Sequence, residues 1–277
     1  MKHININTYK LSYLQKGNTA AKPIMVIGSS IYYPRLFKDE IFENLNLIFL
    51  DHRGFVLPES TNVGYSLEEV VEDIEMIRQQ LEIESMYILG HSGHGFMAMA
   101  YAAKYGKYVA GIILSNLAPT NSQERQDVSL ACFERTASKN RKKYFYSEID
   151  QLAGDIKSDP NKRFTHMNIR MQAHSFYDYH FDGAYLWNDV ENNMPALDYL
   201  WGKAFAIFDT ETFLRNWGKK VILLLSDNDY LVAPTSLWDD IAKENDIEII
   251  KFSKSGHNPM LEEPYAYFNA LKKFINA

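Results

Sequence analysis

One serine, one histidine and two aspartates stand out because of where they fall in the chain. Ser92 lies in Gly90-His91-Ser92-Gly93-His94-Gly95, between the β-prone run Tyr87-Ile88-Leu89 and the breaker-free, Ala- and Met-rich run from Phe96 to Tyr105. A buried strand that turns at once into a buried helix needs small residues in the turn, and the side chain at its apex is lifted into the open. The helix N-terminus behind it supplies free N–H groups and a positive dipole end, which favour developing negative charge. This is the logic of a nucleophile elbow, with His94 standing where the usual Gly-x-Ser-x-Gly pattern has its second glycine. A serine hydroxyl alone is a poor nucleophile; it needs a base within hydrogen-bond reach, and the base needs an orienting acid. His257 follows one late strand, in Ser255-Gly256-His257-Asn258-Pro259, and Asp227 or Asp229 follows the strand before it.

The elements that must hold these residues can be read from the hydrophobic pattern. Pro23–Ile27, Leu45–Leu50, Tyr87–Leu89, Ala110–Ser115, Val221–Leu225 and Ile247–Phe252 are apolar runs of strand length. The stretches from Pro34 to Leu45, Ser66 to Leu81, Thr235 to Asn245 and Pro264 to Ile275 suit helices. Ser66 is placed to cap the second of these, with Glu69 three residues on and Val70, Ile74, Ile77 and Leu81 at helical spacing. Residues 4–14 alternate loosely and predict one or two antiparallel strands. Strands alternating with helices, several of them continuously apolar, predict an α/β fold with a mostly parallel sheet flanked by helices. Ligands of such sheets sit at the carboxyl ends of the strands, where Gly28-Ser29, Asp51 and Ser92 all fall.

Between residues 118 and 210 the rhythm breaks. Polar, helix-compatible segments carry many aromatics, and the expected organisation is a core domain of residues 1–117 and 211–277 with a helical cap insertion at 118–210, packed over the site. The chain has 277 residues, 46% of them hydrophobic and 23% charged, with a net charge of −6, which suits a soluble globular protein. Lys139-Asn140-Arg141-Lys142-Lys143 is the nearest approach to a basic block and reads as a solvated helix face, so no nucleic-acid partner is expected. No apolar run is long enough to span a membrane, and the N-terminus has no signal-peptide core. Cys132 is the single cysteine and reads as a buried helical residue, so a cytoplasmic location is expected. The spacing of His166, His174 and His180 fits no single helical face, so no metal is expected, and chemistry on a serine nucleophile implies no cofactor.

The serine, aspartate, histidine order, Asp51-His52-Arg53-Gly54, the helix segment Val71-Glu72-Asp73-Ile74-Glu75, the elbow Gly90-His91-Ser92 and Gly256-His257-Asn258-Pro259-Met260-Leu261-Glu262-Glu263-Pro264 together resemble the α/β-hydrolase fold family. Ile113-Leu114-Ser115-Asn116 and the position of the insertion are most similar to its proline iminopeptidase-like branch. The resemblance implies Ser92 as nucleophile and His257 as base. It implies Asp229 as acid in preference to Asp227, because Val232 and Pro234 follow it as in the family's acid loop. It also implies an oxyanion site made by the backbone N–H groups of Ser29 and Gly93. The sequence departs from the family at Ile27, where His precedes Gly in the usual pattern, at His94, and at Phe55-Val56-Leu57 after Gly54.

The expected activity is hydrolysis of an ester or amide of a small molecule or short peptide through an acyl-enzyme. The alternative is a receptor or signalling protein of the same fold that turns over slowly or not at all. His91 is expected to pack beside the nucleophile and His94 to wedge against a neighbouring loop. Asp51 and Arg53 are expected to pair with local backbone and with each other. If the substrate carries a free amine, Asp178, Asp182, Asp189 or Glu191 could hold it, although each reads first as plain surface charge.

Overall fold

Six strands of the computed structural model, which describes residues 1–60 and 63–276, run parallel and fall on the six apolar runs of the sequence. β1 (Lys2–Ile6) and β2 (Tyr9–Gly17) form an antiparallel hairpin at one edge. β2 pairs antiparallel with β4 (Asn46–Asp51). β3 (Pro23–Gly28), β5 (Met86–His91), β6 (Val109–Ser115), β7 (Val221–Ser226) and β8 (Glu248–Phe252) complete a sheet of eight strands ordered β1-β2-β4-β3-β5-β6-β7-β8. The chain steps from β3 outward to β4 and then back across β3 to β5. The strand order reverses there, and a crevice opens at the carboxyl ends of β3 and β5.

Helices cover both faces. On one, α2 (Leu67–Gln80) and α3 (His94–Tyr105) bury Val70, Ile74, Ile77, Phe96, Met97 and Tyr101 against the sheet. The Ser66 hydroxyl accepts from the Glu69 amide while the Glu69 carboxylate accepts from the Ser66 amide, the reciprocal cap that the spacing predicts. On the other face lie α1 (Tyr32–Leu36) and, at the C-terminus, α12 (Pro259–Glu262) and α13 (Pro264–Asn276), which bury Tyr33, Phe37, Tyr267 and Leu271. The single helix expected from Pro34 to Leu45 is instead α1 and a separate 3₁₀ turn, Glu40–Asn44. Asp39 starts that turn by accepting the Ile41 amide with its side chain, and an aspartate that bonds its local backbone competes with helix continuation.

Between β6 and β7 the chain is helical: α4 (Gln123–Thr136), α5 (Lys139–Ile149), α6 (Leu152–Ser158), α7 (Arg163–Arg170), α8 (Gln172–Ser175), α9 (Met194–Tyr199), a π-helical turn (Leu200–Ala204) and α10 (Thr210–Asn216). This segment has a small core of its own, Phe133, Ala137, Phe145 and Ala173. A second cluster, Phe55, Val190 and Leu197, joins it to the loop after β4. Cys132 is buried in α4. Arg141 departs from the expected solvated face. Its guanidinium is buried and donates to the carbonyls of Ala173, Phe176 and Tyr177. α11 (Asp239–Glu244) lies between β7 and β8.

Candidate active site

Ser92 follows β5 directly and has a φ of +55°, a left-handed conformation that costs a non-glycine residue energy and is held here by its surroundings. Its amide donates to the Ser115 carbonyl at 2.9 Å, and its carbonyl accepts the Gly95 amide at 2.9 Å, so both sides of the turn are tied. The strand and the helix approach closely at Gly90 and Gly95. A Cβ on Gly90 would lie 2.4 Å from the Gly95 Cα. The glycine that lets helix pack on strand therefore sits at 95, and position 94 is free to carry a side chain.

His257 and Asp229 meet as the spacing requires. The His257 Nδ1–H donates to Asp229 Oδ2 at 2.7 Å, the orientation in which the neutral ring presents Nε2 as the base. Asp229 is buried and takes two further bonds, from the Asn116 side-chain amide at 2.8 Å and from the Leu231 backbone N–H at 3.0 Å. Asp227 is exposed and makes no such contact with His257. Ser92, Gly93 and His257 line one cavity of about 590 Å³, walled mainly by Tyr32, Phe55, Phe164, Trp187, Trp201 and Tyr230. The backbone N–H groups of Ser29 and Gly93 donate to no protein acceptor among the described residues. Gly93 lines the cavity, whereas Ser29, just past β3, is buried and is not among the lining residues.

His94 is the unusual residue of the elbow, and its imidazole belongs to a buried chain of hydrogen bonds. The Gly54 amide donates to His52 Nδ1, so the His52 proton is on Nε2 and goes to His94 Nε2 at 3.1 Å. The His94 Nδ1–H then donates to the His91 carbonyl and the Tyr33 hydroxyl, at 3.0 and 2.9 Å. The Tyr33 O–H donates to His91 Nδ1 at 3.0 Å, and the His91 Nε2–H donates to the His257 carbonyl at 2.6 Å. This is the one proton arrangement that satisfies every contact, and in it all three rings are neutral. Burial, reinforced by the neighbouring rings, holds His52 and His91 well below the usual histidine range and His94 down to about 3. His94 does wedge against the Asp51–Gly54 loop, and His91 does pack beside the nucleophile.

Asp51 and Arg53 do not pair with each other. Asp51 accepts the amides of Ser30 at 2.6 Å and Ser12 at 3.2 Å, which fixes the turn after β3. Arg53 turns the other way and forms a two-pronged ion pair with Asp73 of α2, at 2.6 and 2.7 Å. The fork of a guanidinium matches a carboxylate, and Asp73 is buried where an unpaired charge would be costly.

The loop carrying His257 is clasped to the helical segment. Glu262 accepts the Tyr177 amide at 2.6 Å and the Gly256 amide at 2.8 Å, and the His257 amide donates to the Ser175 carbonyl at 2.5 Å. Burial pushes the Glu262 carboxyl up to about 7, against the opposing pull of these amides. Glu263 accepts from the Lys254 amide and the Ser255 hydroxyl, closing the other side of the loop.

A model of the alpha/beta hydrolase fold matches residues 27–264. The chain belongs to the α/β-hydrolase fold family. It is 45% identical to the AB hydrolase superfamily protein YclE of Bacillus subtilis (strain 168), over 97% of this chain and 96% of that protein. It is 25% identical to the proline iminopeptidase PfmaB of Pestalotiopsis fici (strain W106-1 / CGMCC3.15140), over 80% of this chain and 78% of that protein. Among solved structures, an alpha/beta fold family hydrolase from Bacillus anthracis str. Sterne superposes with a TM-score of 0.71 at 20% identity, covering 99% of this chain and 97% of that one.

Sequence reasoning missed Asn116, Tyr33 and Glu262 as supports of the site. Asn116 has a φ of +46° at the end of β6, and an asparagine at a strand end is a residue type that tolerates this conformation. Its amide also reaches the Gly256 carbonyl at 3.1 Å, so it braces acid and base loops together. Of the four carboxylates considered for an amine, none lines the cavity. Asp178 and Asp182 accept local amides, and Asp189 lies 3.7 Å from Arg35. His174 stacks on Phe133 and His180 packs on Tyr144 and Tyr179. No group of three or more His, Cys, Asp or Glu among the described residues is arranged to hold a metal ion, and no helix among them is long and apolar enough to cross a membrane.

Proposed function

We propose that this protein is a serine hydrolase that cleaves an ester bond through an acyl-enzyme on Ser92. His257 Nε2 takes the Ser92 hydroxyl proton as Oγ attacks the carbonyl carbon. The N–H groups of Ser29 and Gly93 receive the charge that develops on the carbonyl oxygen. His257 then protonates the leaving alkoxide, and a water activated by the same ring releases the acid. Asp229 holds His257 in the required tautomer throughout. The observation that carries this reading is the strained Ser92 in one cavity with a His257 that is already bonded to a buried Asp229.

The walls of the cavity favour an apolar, aromatic-sized acyl or alcohol group over a peptide with a free amine. Asp127 is the one carboxylate among the lining residues, and the Gln123 side-chain amide already bonds it. The 25% identity to a proline iminopeptidase supports a second reading, cleavage of a prolyl amide. Rates on an aryl ester and on a prolyl arylamide separate the two.

The test is labelling with a broad fluorophosphonate probe followed by peptide mass mapping. Modification is expected on Ser92 and lost in the His257→Ala variant. A folded protein that the probe leaves unmodified at Ser92 would overturn the proposal.

A further inference from the structure

The π-helical turn Leu200–Ala204 lies at the end of the helical segment, closed by the Phe205 amide on the Leu200 carbonyl at 3.0 Å. Such turns insert one residue into a helix and re-aim the side chains around it, often at a site of function. Here the re-aimed residue is Trp201. Its carbonyl accepts the Asn121 side-chain amide at 2.6 Å, which anchors the turn to the chain leaving β6. Its indole stands edge-on to His94, Phe164 and Phe205, with ring centroids 5.3, 5.2 and 4.9 Å apart.

That packing brings the indole onto the elbow. A Cβ on Gly93 would lie 3.0 Å from both Cε2 and Nε1 of Trp201. Trp201 Nε1–H has no acceptor among the described residues, although Trp201 lines the cavity with Ser92 and Gly93. The buried Trp238, by contrast, spends its N–H on the Leu117 carbonyl at 2.5 Å. A tryptophan chosen only as an apolar wall gains nothing from an unspent N–H in the cavity beside the nucleophile.

We propose that Trp201 is a substrate-contacting residue whose indole N–H donates to the same oxygen that the Gly93 amide receives, making a third donor for the charge developing on an ester carbonyl. The inference rests on the reading of Ser92 and Gly93 given above. A Cβ position lies about 2.5 Å from the amide nitrogen of its own residue, so the Gly93 nitrogen and Trp201 Nε1 are within about 5.5 Å of each other. One oxygen accepting from two donors at about 2.9 Å each spans that separation. The indole also limits what can approach. A planar acyl group can lie along its face, and Gly93 has no side chain to clash with the indole and Phe205, which come within 3.0 and 2.9 Å of where a Cβ would stand. In an apolar wall a neutral N–H aimed at developing charge is worth more than in water.

The test replaces the donor without replacing the shape. Wild type, Trp201→Phe and a variant carrying benzothienylalanine at 201, in which sulfur takes the place of the indole N–H, are compared on one aryl ester, with fluorophosphonate labelling of Ser92 run alongside. Both variants are expected to lose about tenfold to a hundredfold in kcat, the lower part of the range for one oxyanion donor and below it, while KM changes less than about threefold. A role as wall alone predicts the reverse for Trp201→Phe, a raised KM at unchanged kcat, and a benzothienylalanine variant within about twofold of wild type in both constants; that result overturns the proposal. Wild type that fails to label at Ser92 instead removes the reading of Ser92, and this role with it. Normal labelling with unchanged kcat in the benzothienylalanine variant removes the role of Trp201 alone.

Discussion

Acid should unfold this protein from within, because four histidines are buried neutral. His52 and His91 lie well below the usual histidine range, His94 at about 3 and His174 at about 4, in each case because burial disfavours the charged ring. In the unfolded chain each titrates near 6.5. Below that value the unfolded state binds protons that the folded state refuses, so stability is present above pH 6.5 and is lost as pH falls. Between pH 7 and 5 each such histidine removes about 2 kcal/mol, and the four together about 8 kcal/mol. Glu262 works in the opposite sense. Its carboxyl sits at about 7 when folded, so protonation between pH 7 and 5 favours the folded state and returns about 2 kcal/mol. The net loss of about 6 kcal/mol is comparable to the whole stability of many domains. Urea unfolding at the two pH values measures it. With an m-value of about 3 kcal/mol/M for a chain of this size, the midpoint should fall by about 2 M. His174→Phe isolates one contribution. Both ring nitrogens of His174 lack a hydrogen-bond partner among the described residues and the ring stacks on Phe133, so the variant should keep its stability at pH 7 and recover about 2 kcal/mol at pH 5. A midpoint that moves by less than about 0.5 M between the two pH values would refute the reasoning.

Asn116→Ala removes a charge-assisted bond to Asp229 and a neutral one to Gly256, which should cost about 2–4 kcal/mol and lower Tm by about 2 °C per kcal/mol. Because it also frees the acid and base loops, kcat should fall by at least about tenfold, which kinetics on the same sample would read. Arg53→Met leaves Asp73 as a buried charge without its partner and should destabilise by about 3–5 kcal/mol, measured by denaturant unfolding. Tyr33→Phe leaves His91 Nδ1 without a donor, and should cost about 2 kcal/mol with little change in the circular dichroism of the folded state.

The apolar runs located all six parallel strands because a strand buried on both faces has little choice of residue. The elbow and the histidine loop were legible for a related reason, since their glycines and spacing answer to backbone geometry within a few residues. What was not legible lies in contacts between distant segments. Arg53 could be read as a partner of Asp51, two residues away, and nothing local says that Asp73 lies across from it. His94 looked like a defect in the turn because Tyr33 and His52, which give its imidazole a place, arrive from α1 and from the loop after β4. Trp201 was one aromatic among many in a segment without periodicity. Its π-helical turn depends on tertiary packing and leaves no local signature. The expected helix from Pro34 to Leu45 failed at Asp39, where a side chain's bond to its own backbone outweighed the helical pattern.

The stretch Gln172–Tyr177 is held from two directions. From below, the base loop takes the Ser175 carbonyl and the Tyr177 amide; from above, Arg141 takes the carbonyls of Ala173, Phe176 and Tyr177. Such a stretch behaves as part of the sheet's rim even though it lies far along an all-helical excursion of the chain. For the recombination of relatives this sets where a crossover can fall. A chimaera that exchanges residues 123–138 leaves both sets of bonds intact. An exchange that runs through 177 with a different loop length strips His257 of the Ser175 carbonyl and Glu262 of the Tyr177 amide. The portable part of the excursion therefore ends well before the excursion does, and even there Arg125 and Ser129 must be kept, because they donate to the Leu231 and Ala233 carbonyls of the acid loop.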